Sequence, residues 1–124
     1  MFAASLVTAS ATARALRSLT DGRITLAAMG EEGRVRSSED EVCALYLRNL
    51  LEGRGGNPDA ARQMILSGGE VAKFNDVTRP WLNPNDVPLA LDIDRYDFAI
   101  RVVMEHGYPV ARKFEALDGR RAPN

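Results

Sequence analysis

The stretch SEDEVCALYLRNLL, residues 38–51, decides the fold, because it is the clearest helix in the sequence. Ser38 and Glu41 have the spacing of a capping box, and Glu39 and Asp40 place negative charge in the first turn. Apolar residues follow on one side with a helical period, and these are Val42, Cys43, Tyr46, Leu47, Leu50 and Leu51. Three glycines between residues 53 and 56 then end the helix.

On the N-terminal side of this helix, the pattern predicts one further helix and two strands. Thr8 to Leu19 is rich in Ala, Leu and Arg and reads as a helix, with Thr8 or Ser10 as its N-cap. The apolar residues from Phe2 to Val7 indicate the end of a strand. After a turn at Asp21-Gly22, residues Arg23 to Met29 read as a buried strand.

On the C-terminal side, the pattern predicts two more helices and a hairpin. Asn57-Pro58 has the form of an N-cap followed by a first-turn proline, so a helix runs from Pro58 to about Leu66. Residues 78–85 read as an irregular loop, and Asp86 to Leu91 as one or two helical turns. Phe98 to Met104 and Tyr108 to Phe114 flank residues 105–107, which is a β-hairpin signal.

These elements predict an α/β fold: a layered sheet with flanking helices and a C-terminal β-hairpin. We expect a single domain over residues 1–115 and a polar tail over 116–124. The 124 residues are 45% hydrophobic and carry a net charge of -1, which gives no reason to expect a nucleic-acid or membrane partner. The single cysteine, Cys43, forms no internal disulfide, and no secretory signal is apparent, so we expect a cytoplasmic protein.

Thr8 and Ser10 are candidate phosphate-binding residues. A strand that leads into a hydroxyl-rich helix start offers free backbone N–H groups and the positive end of a helix dipole, which together bind phosphate. The alternative is a simple helix cap, which is the commoner role of these residue types.

Glu39 and Asp40 are candidate metal ligands and catalytic residues. Mg²⁺ prefers hard oxygen ligands and usually takes one or two carboxylates together with water and substrate phosphate. The alternative is that these acidic residues only complement the dipole of their helix. Since adjacent helical residues point about 100° apart, at most one of the two carboxylates can easily face a cleft while the other caps the helix.

Other polar residues have simpler interpretations. Asp92-Ile93-Asp94 has the Asp-x-Asp form of haloacid dehalogenase phosphatases, but it lies near the C-terminal end and Arg95 follows it. We therefore expect Asp92, Asp94 and Asp97 to shape a turn before the hairpin. Cys43 shares a helix face with Leu47 and Leu50 and reads as a core residue. His106 lies in the hairpin turn and reads as solvated.

Three stretches together resemble the C-terminal half of the 2-phosphosulfolactate phosphatase family. The first runs from Ser5 to Leu16, with the sequence SLVTASATARAL. The second is GEEG at residues 30–33, which leads to SSED at 37–40 and Cys43-Ala44. The third is DIDRYDFAIRV at residues 92–102, with VAR at 110–112. Their order and spacing resemble those of the family over roughly residues 5 to 113.

The resemblance implies a phosphoric monoester hydrolase of the coenzyme M biosynthesis type, which uses Mg²⁺ to hydrolyse a small phosphorylated acid. It implies that Thr8 and Ser10 line the phosphate end of the cleft. It also implies that Glu39 and Asp40 hold the metal or position the attacking water.

Two departures from the family pattern motivate an alternative. The family usually has Asn where this chain has Thr8. Family members are also about twice this length, and their N-terminal half has no counterpart here. The alternative is therefore a non-catalytic remnant or a split subunit that needs a partner carrying the N-terminal half. A homo-oligomer is a further expectation.

Overall fold

The computed structural model describes residues 1–30, 38–67 and 85–115. Its four helices are α1 (Ala9–Leu19), α2 (Ser38–Leu51), α3 (Pro58–Ser67) and α4 (Asp86–Ala90). Its three strands are β1 (Phe2–Ala3), β2 (Ala99–Glu105) and β3 (Tyr108–Phe114), and a short 3-10 turn covers Leu6–Thr8. The mixed α/β class and the C-terminal hairpin are as the sequence predicts. In the described part of the chain, no helix is both long enough and apolar enough to cross a bilayer.

The sheet is antiparallel, with strand order β1-β2-β3. Phe2 pairs with Arg101 in β2, while the β2–β3 ladder extends from Ala99↔Phe114 to Glu105↔Tyr108. His106 and Gly107 connect β2 to β3 and have φ values of 51° and 81°. Two positive φ values in a two-residue loop match the twist of the flanking strands, which explains the tight hairpin. His106 is exposed, as expected.

The main cluster of buried residues lies among the helices, while α1 also packs against β2. Eight buried residues form it, and they come from the 3-10 turn, from α1, α2 and α3, and from the residue after α4: Leu6, Ala9, Val42, Tyr46, Leu47, Ala61, Ile65 and Leu91. By contrast, Ala99 is the one buried residue in the three strands. β3 is an edge strand, and Pro109, Arg112 and Lys113 on it are exposed.

The helix boundaries follow local chemistry. The Asn57 side-chain oxygen accepts the Ala60 N–H at 3.1 Å, so Asn57 caps α3 as predicted. Gly53, just beyond the C-terminus of α2, has φ 74°, a conformation that favours glycine. The side chain of Ser38 lies outside the described part, so the predicted capping box remains a prediction.

Two sequence predictions about strands are wrong. The apolar run from Phe2 to Val7 is a strand only at Phe2–Ala3, because the 3-10 turn begins at Leu6. Residues 23–29 form no strand, because no described segment pairs with their backbone. Ile24 and Leu26 are half-buried, and Leu26 packs against the helical core. The predictions for residues 68–84 and 116–124 lie outside the described residues.

Gly56 is a position where any side chain would collide with the core. A Cβ built there would lie 2.3 Å from Cζ of the buried Tyr46. We expect Gly56→Ala to lower the free energy of unfolding by about 1–3 kcal/mol, because Tyr46 must leave its packed position. Gly22→Ala is the matched control, since its nearest neighbour is the Thr20 hydroxyl at 3.3 Å. Urea denaturation of both variants checks this, and equal losses would contradict it.

Candidate functional site

A cavity of about 450 Å³ lies between the N-terminal segment, residues 25–29 and the first turns of α2. Leu47, Ile65 and Leu91 from the core form part of its wall, and Ser5 from the N-terminal segment also lines it. Its two charged lining residues among those described are Glu39 and Asp40. The wall is therefore mainly apolar, with both carboxylates coming from the first turn of one helix.

Asp40 is fixed by the backbone of the preceding loop. Its Oδ2 accepts a hydrogen bond from the Gly30 N–H at 2.8 Å, and Gly30 has φ 71°. Both Glu39 and Asp40 are half-buried and lie in the first turn of α2. The structure thus brings the two predicted acidic residues together at one cavity.

Cys43 lies one turn beyond Asp40 and also lines the cavity. Burial and, to a smaller extent, the charge of Asp40 raise the pKa of its thiol from 9.0 to about 11. The neutral thiol is a poor nucleophile at neutral pH, and it packs against the helical core. Cys43 is thus half-buried at the border of the core that the sequence predicted for it.

We expect alkylation of Cys43 to be slow in the folded chain. With a pKa of about 11 in place of 9.0, the folded state holds about 100-fold less thiolate near pH 8. The rate should rise with pH up to about 11, because deprotonation then creates the reactive form. Iodoacetamide labelling followed by mass spectrometry, with the urea-unfolded chain as reference, measures both.

Part of this slow labelling should come from the Asp40 charge, which is the smaller of the two causes of the raised pKa. Asp40→Asn should therefore speed it modestly, because burial remains the larger cause of the shift. Asp59→Asn is the control, since Asp59 lies in the first turn of α3 and pairs with Arg62. Equal labelling of folded and unfolded chains would contradict the assigned burial.

Thr8 and Ser10, the other two predicted site residues, are not among the residues lining the cavity. Thr8 is buried at the N-cap position of α1, where its side chain makes no capping hydrogen bond. Its hydroxyl instead contacts Ser5, with the two Oγ atoms 3.3 Å apart. The role of Thr8 and Ser10 in phosphate binding stays a prediction.

An internal carboxylate occupies the anion-binding end of α1. Ser10 donates its backbone N–H to Asp94 Oδ1 at 2.8 Å and its hydroxyl to Asp94 Oδ2 at 2.7 Å. The Asp94 N–H in turn donates to the Leu6 carbonyl, and the Tyr96 N–H donates to the Val7 carbonyl, both at 3.0 Å. A phosphate at this helix end would have to displace the Asp94 carboxylate.

Asp94 is well suited to this role because it adopts φ 60°, a conformation that Asp tolerates better than most residues. The turn predicted around Asp92, Asp94 and Asp97 is therefore present. The sequence did not, however, identify Ser10 as the residue that Asp94 binds. No sequence signal connects Ser10 with a residue 84 positions later, and the positive dipole end of α1 was the one available hint that an anion belongs there.

We expect Asp94→Gly to cost about 1–2 kcal/mol of stability, because it removes both hydrogen bonds to Ser10 and the charge at the helix end. Glycine tolerates the positive φ, so backbone strain does not enter. The matched control is Asp97→Gly, which removes an exposed ion pair with Arg14 and should cost less than about 1 kcal/mol. Chemical denaturation compares them, and equal losses would exclude a capping role.

The cavity offers few side chains that could serve as metal ligands. Among the described residues, no group of three or more His, Cys, Asp and Glu side chains could hold a metal ion. Two carboxylates on one cavity wall still suit Mg²⁺, which commonly binds through one or two carboxylates and completes its shell with water and phosphate oxygens. Magnesium binding by Glu39 and Asp40 stays a prediction.

No protein-family model matches the chain, and no curated protein or solved structure matches it. The resemblance to phosphosulfolactate phosphatases therefore rests on the three sequence stretches alone.

Proposed function

We propose that this chain is a Mg²⁺-dependent phosphatase that hydrolyses a small phosphate ester, of the 2-phosphosulfolactate phosphatase type. One observation carries the proposal: Glu39 and Asp40 line a single cavity of about 450 Å³. That volume is in the range of small-molecule sites. Two carboxylates beside a helix N-terminus are a suitable setting for a divalent cation and the phosphate it accompanies.

Asp40 and Glu39 would hold the metal, which when bound neutralises phosphate charge. The Gly30 N–H fixes the Asp40 carboxylate, so its orientation is set before any ligand arrives. In the hydrolysis, a carboxylate takes a proton from water as the water oxygen bonds to phosphorus. The ester P–O bond breaks, and the same carboxylate returns the proton to the departing oxygen, which leaves as the alcohol. The apolar wall lowers the local dielectric and strengthens these interactions.

Cys43 has no part in this chemistry. A cysteine phosphatase needs a thiolate, whereas burial holds the pKa of Cys43 at about 11. A direct attack by water is therefore the better supported route. The sulfolactate moiety of the substrate, and with it a place in coenzyme M biosynthesis, comes from the family resemblance.

A second candidate function is a split subunit or remnant that completes its fold with another polypeptide. The observation that favours it is the exposure of the sheet: Ala99 is the one buried residue in its three strands. Met104 is 69% exposed and Tyr108 73% exposed. Sheets in stable domains usually bury at least one face, so a partner that covers this one is the natural completion.

The deciding experiment measures phosphate release from 2-phosphosulfolactate and a small panel of phosphate esters, with Mg²⁺ and with EDTA. We expect metal-dependent release, and we expect Asp40→Asn to reduce it by at least about 100-fold, because the metal loses a charged ligand. Asp59→Asn is the matched control, since it removes a first-turn carboxylate of α3, away from the cavity.

Melting temperatures of both variants separate catalysis from folding. If Asp40→Asn mainly lowers the melting temperature and spares activity, Asp40 is a structural residue and the site assignment is wrong. Release that survives EDTA would contradict the metal requirement. A folded chain that releases no phosphate under any condition would support the split-subunit candidate instead.

A further inference from the structure

The cavity beside α2 changes in character along this helix. Glu39 and Asp40 line it from the first turn. Cys43 and Ala44 line it one turn later, and Leu47 lines it two turns later. Because each helical residue advances the axis by about 1.5 Å, Leu47 lies about 10 Å along α2 from Asp40. The cavity therefore has a carboxylate end and an aliphatic end.

The aliphatic end is a floor of core side chains. Leu47 is 2% exposed, Ile65 3% and Leu91 8%. All three line the cavity and belong to the main buried cluster. Their side chains offer dispersion contacts to a hydrocarbon group and no hydrogen bond to a polar one. A sulfonate or carboxylate that reached this floor would lose its hydration and gain no partner from these three residues, so the floor favours a hydrocarbon group.

The side wall continues the apolar surface. Leu6 is buried and Leu26 is half-buried, and both line the cavity. The Cys43 thiol is neutral at neutral pH, because burial raises its pKa to about 11. Ser5 and Thr25 also line the cavity, but both are exposed, so their hydroxyls belong to its solvent-exposed part. A ligand group that passes these hydroxyls meets aliphatic side chains and a neutral thiol.

We propose that the substrate is a phosphate monoester of an apolar alcohol, whose hydrocarbon group extends along α2 past Ala44 to the floor at Leu47. For its phosphate end this rests on the proposed function, in which Glu39 and Asp40 hold the metal. Phosphate and hydrocarbon thus have separate places in one cavity of about 450 Å³, a volume in the range of small-molecule sites. The apolar wall favours a hydrocarbon as the organic group, whereas the family resemblance implies sulfolactate.

Calorimetric binding of straight-chain alkylphosphonates to the full chain, with Mg²⁺ present, tests this placement. Phosphonates have no ester bond to hydrolyse, so their affinity is measured whether or not the chain is a phosphatase. From ethylphosphonate through butyl- and hexyl- to octylphosphonate, we expect Kd to fall about threefold to fourfold for each added CH₂ group that reaches the apolar wall. Carboxyethylphosphonate is the matched polar ligand. It should bind more weakly than butylphosphonate, because its carboxylate would be desolvated.

A variant of the cavity wall provides the test on the protein side. Ala44→Leu places a larger side chain between the two ends of the cavity, and Leu is a good helix former. We expect octylphosphonate to bind this variant at least about tenfold more weakly, and ethylphosphonate to bind it with little change. Ala60→Leu is the matched control, since Ala60 is exposed on α3 and is not among the residues lining the cavity. Melting temperatures verify that both variants fold.

Cys43 reports on occupancy of the cavity, because it is one of the lining residues. Octylphosphonate at about ten times its Kd should slow iodoacetamide labelling of Cys43 by about tenfold, since the reagent reaches the thiol only in the unoccupied fraction. Carboxyethylphosphonate at the same concentration should slow the labelling much less. Bound octylphosphonate that leaves the labelling rate unchanged would lie outside the cavity, which contradicts the proposal.

Phosphate release from hexyl phosphate and from 2-phosphosulfolactate completes the test, and we expect the larger kcat/KM for hexyl phosphate. An equal or larger value for 2-phosphosulfolactate would overturn the substrate class and leave the phosphatase proposal intact. No release from either ester, together with phosphonate affinity that rises with chain length, would overturn the proposed function and support the apolar ligand class. Affinity that does not depend on chain length, or equal weakening of ethyl- and octylphosphonate by Ala44→Leu, would overturn this inference.

Discussion

The contact between the Asp94 carboxylate and the first turn of α1 joins the two ends of the fold. It connects a helix that begins at residue 9 with the turn that leads into the hairpin. Without it, the Ser10 N–H and hydroxyl lose their carboxylate acceptor, and the turn around Asp94 loses two of the hydrogen bonds that hold it at a positive φ. If the turn then moved, the Leu6 and Val7 carbonyls would lose the Asp94 and Tyr96 N–H donors, although Leu6 would keep the Ala9 N–H.

Local chemistry made much of this fold predictable. Helices α1, α2 and α3 and the hairpin follow from features that neighbours along the chain determine, such as the Asn57 cap and the His106-Gly107 turn. Residues 23–29 were predicted as a strand on composition, but a strand needs hydrogen bonds to another segment. Composition measures the tendency of a segment to extend, and pairing depends on what lies beside it.

The candidate site, like the fold, was predictable only where residues close in sequence determine it. Glu39 and Asp40 could be grouped from sequence because they share one helical turn, and they do line one cavity. Thr8 and Ser10 could not be related to that cavity, because their positions depend on where α1 packs against distant residues. Ser10 is bound by Asp94, a long-range contact that no local pattern encodes.

The edge strand β3 limits how copies of this chain can pair with one another. β3 carries Pro109, which has no N–H to offer a neighbouring strand, and the exposed cations Arg112 and Lys113. Proline and positive charge on an edge discourage open-ended stacking of like strands. Copies of this chain are therefore expected to avoid joining their sheets through β3.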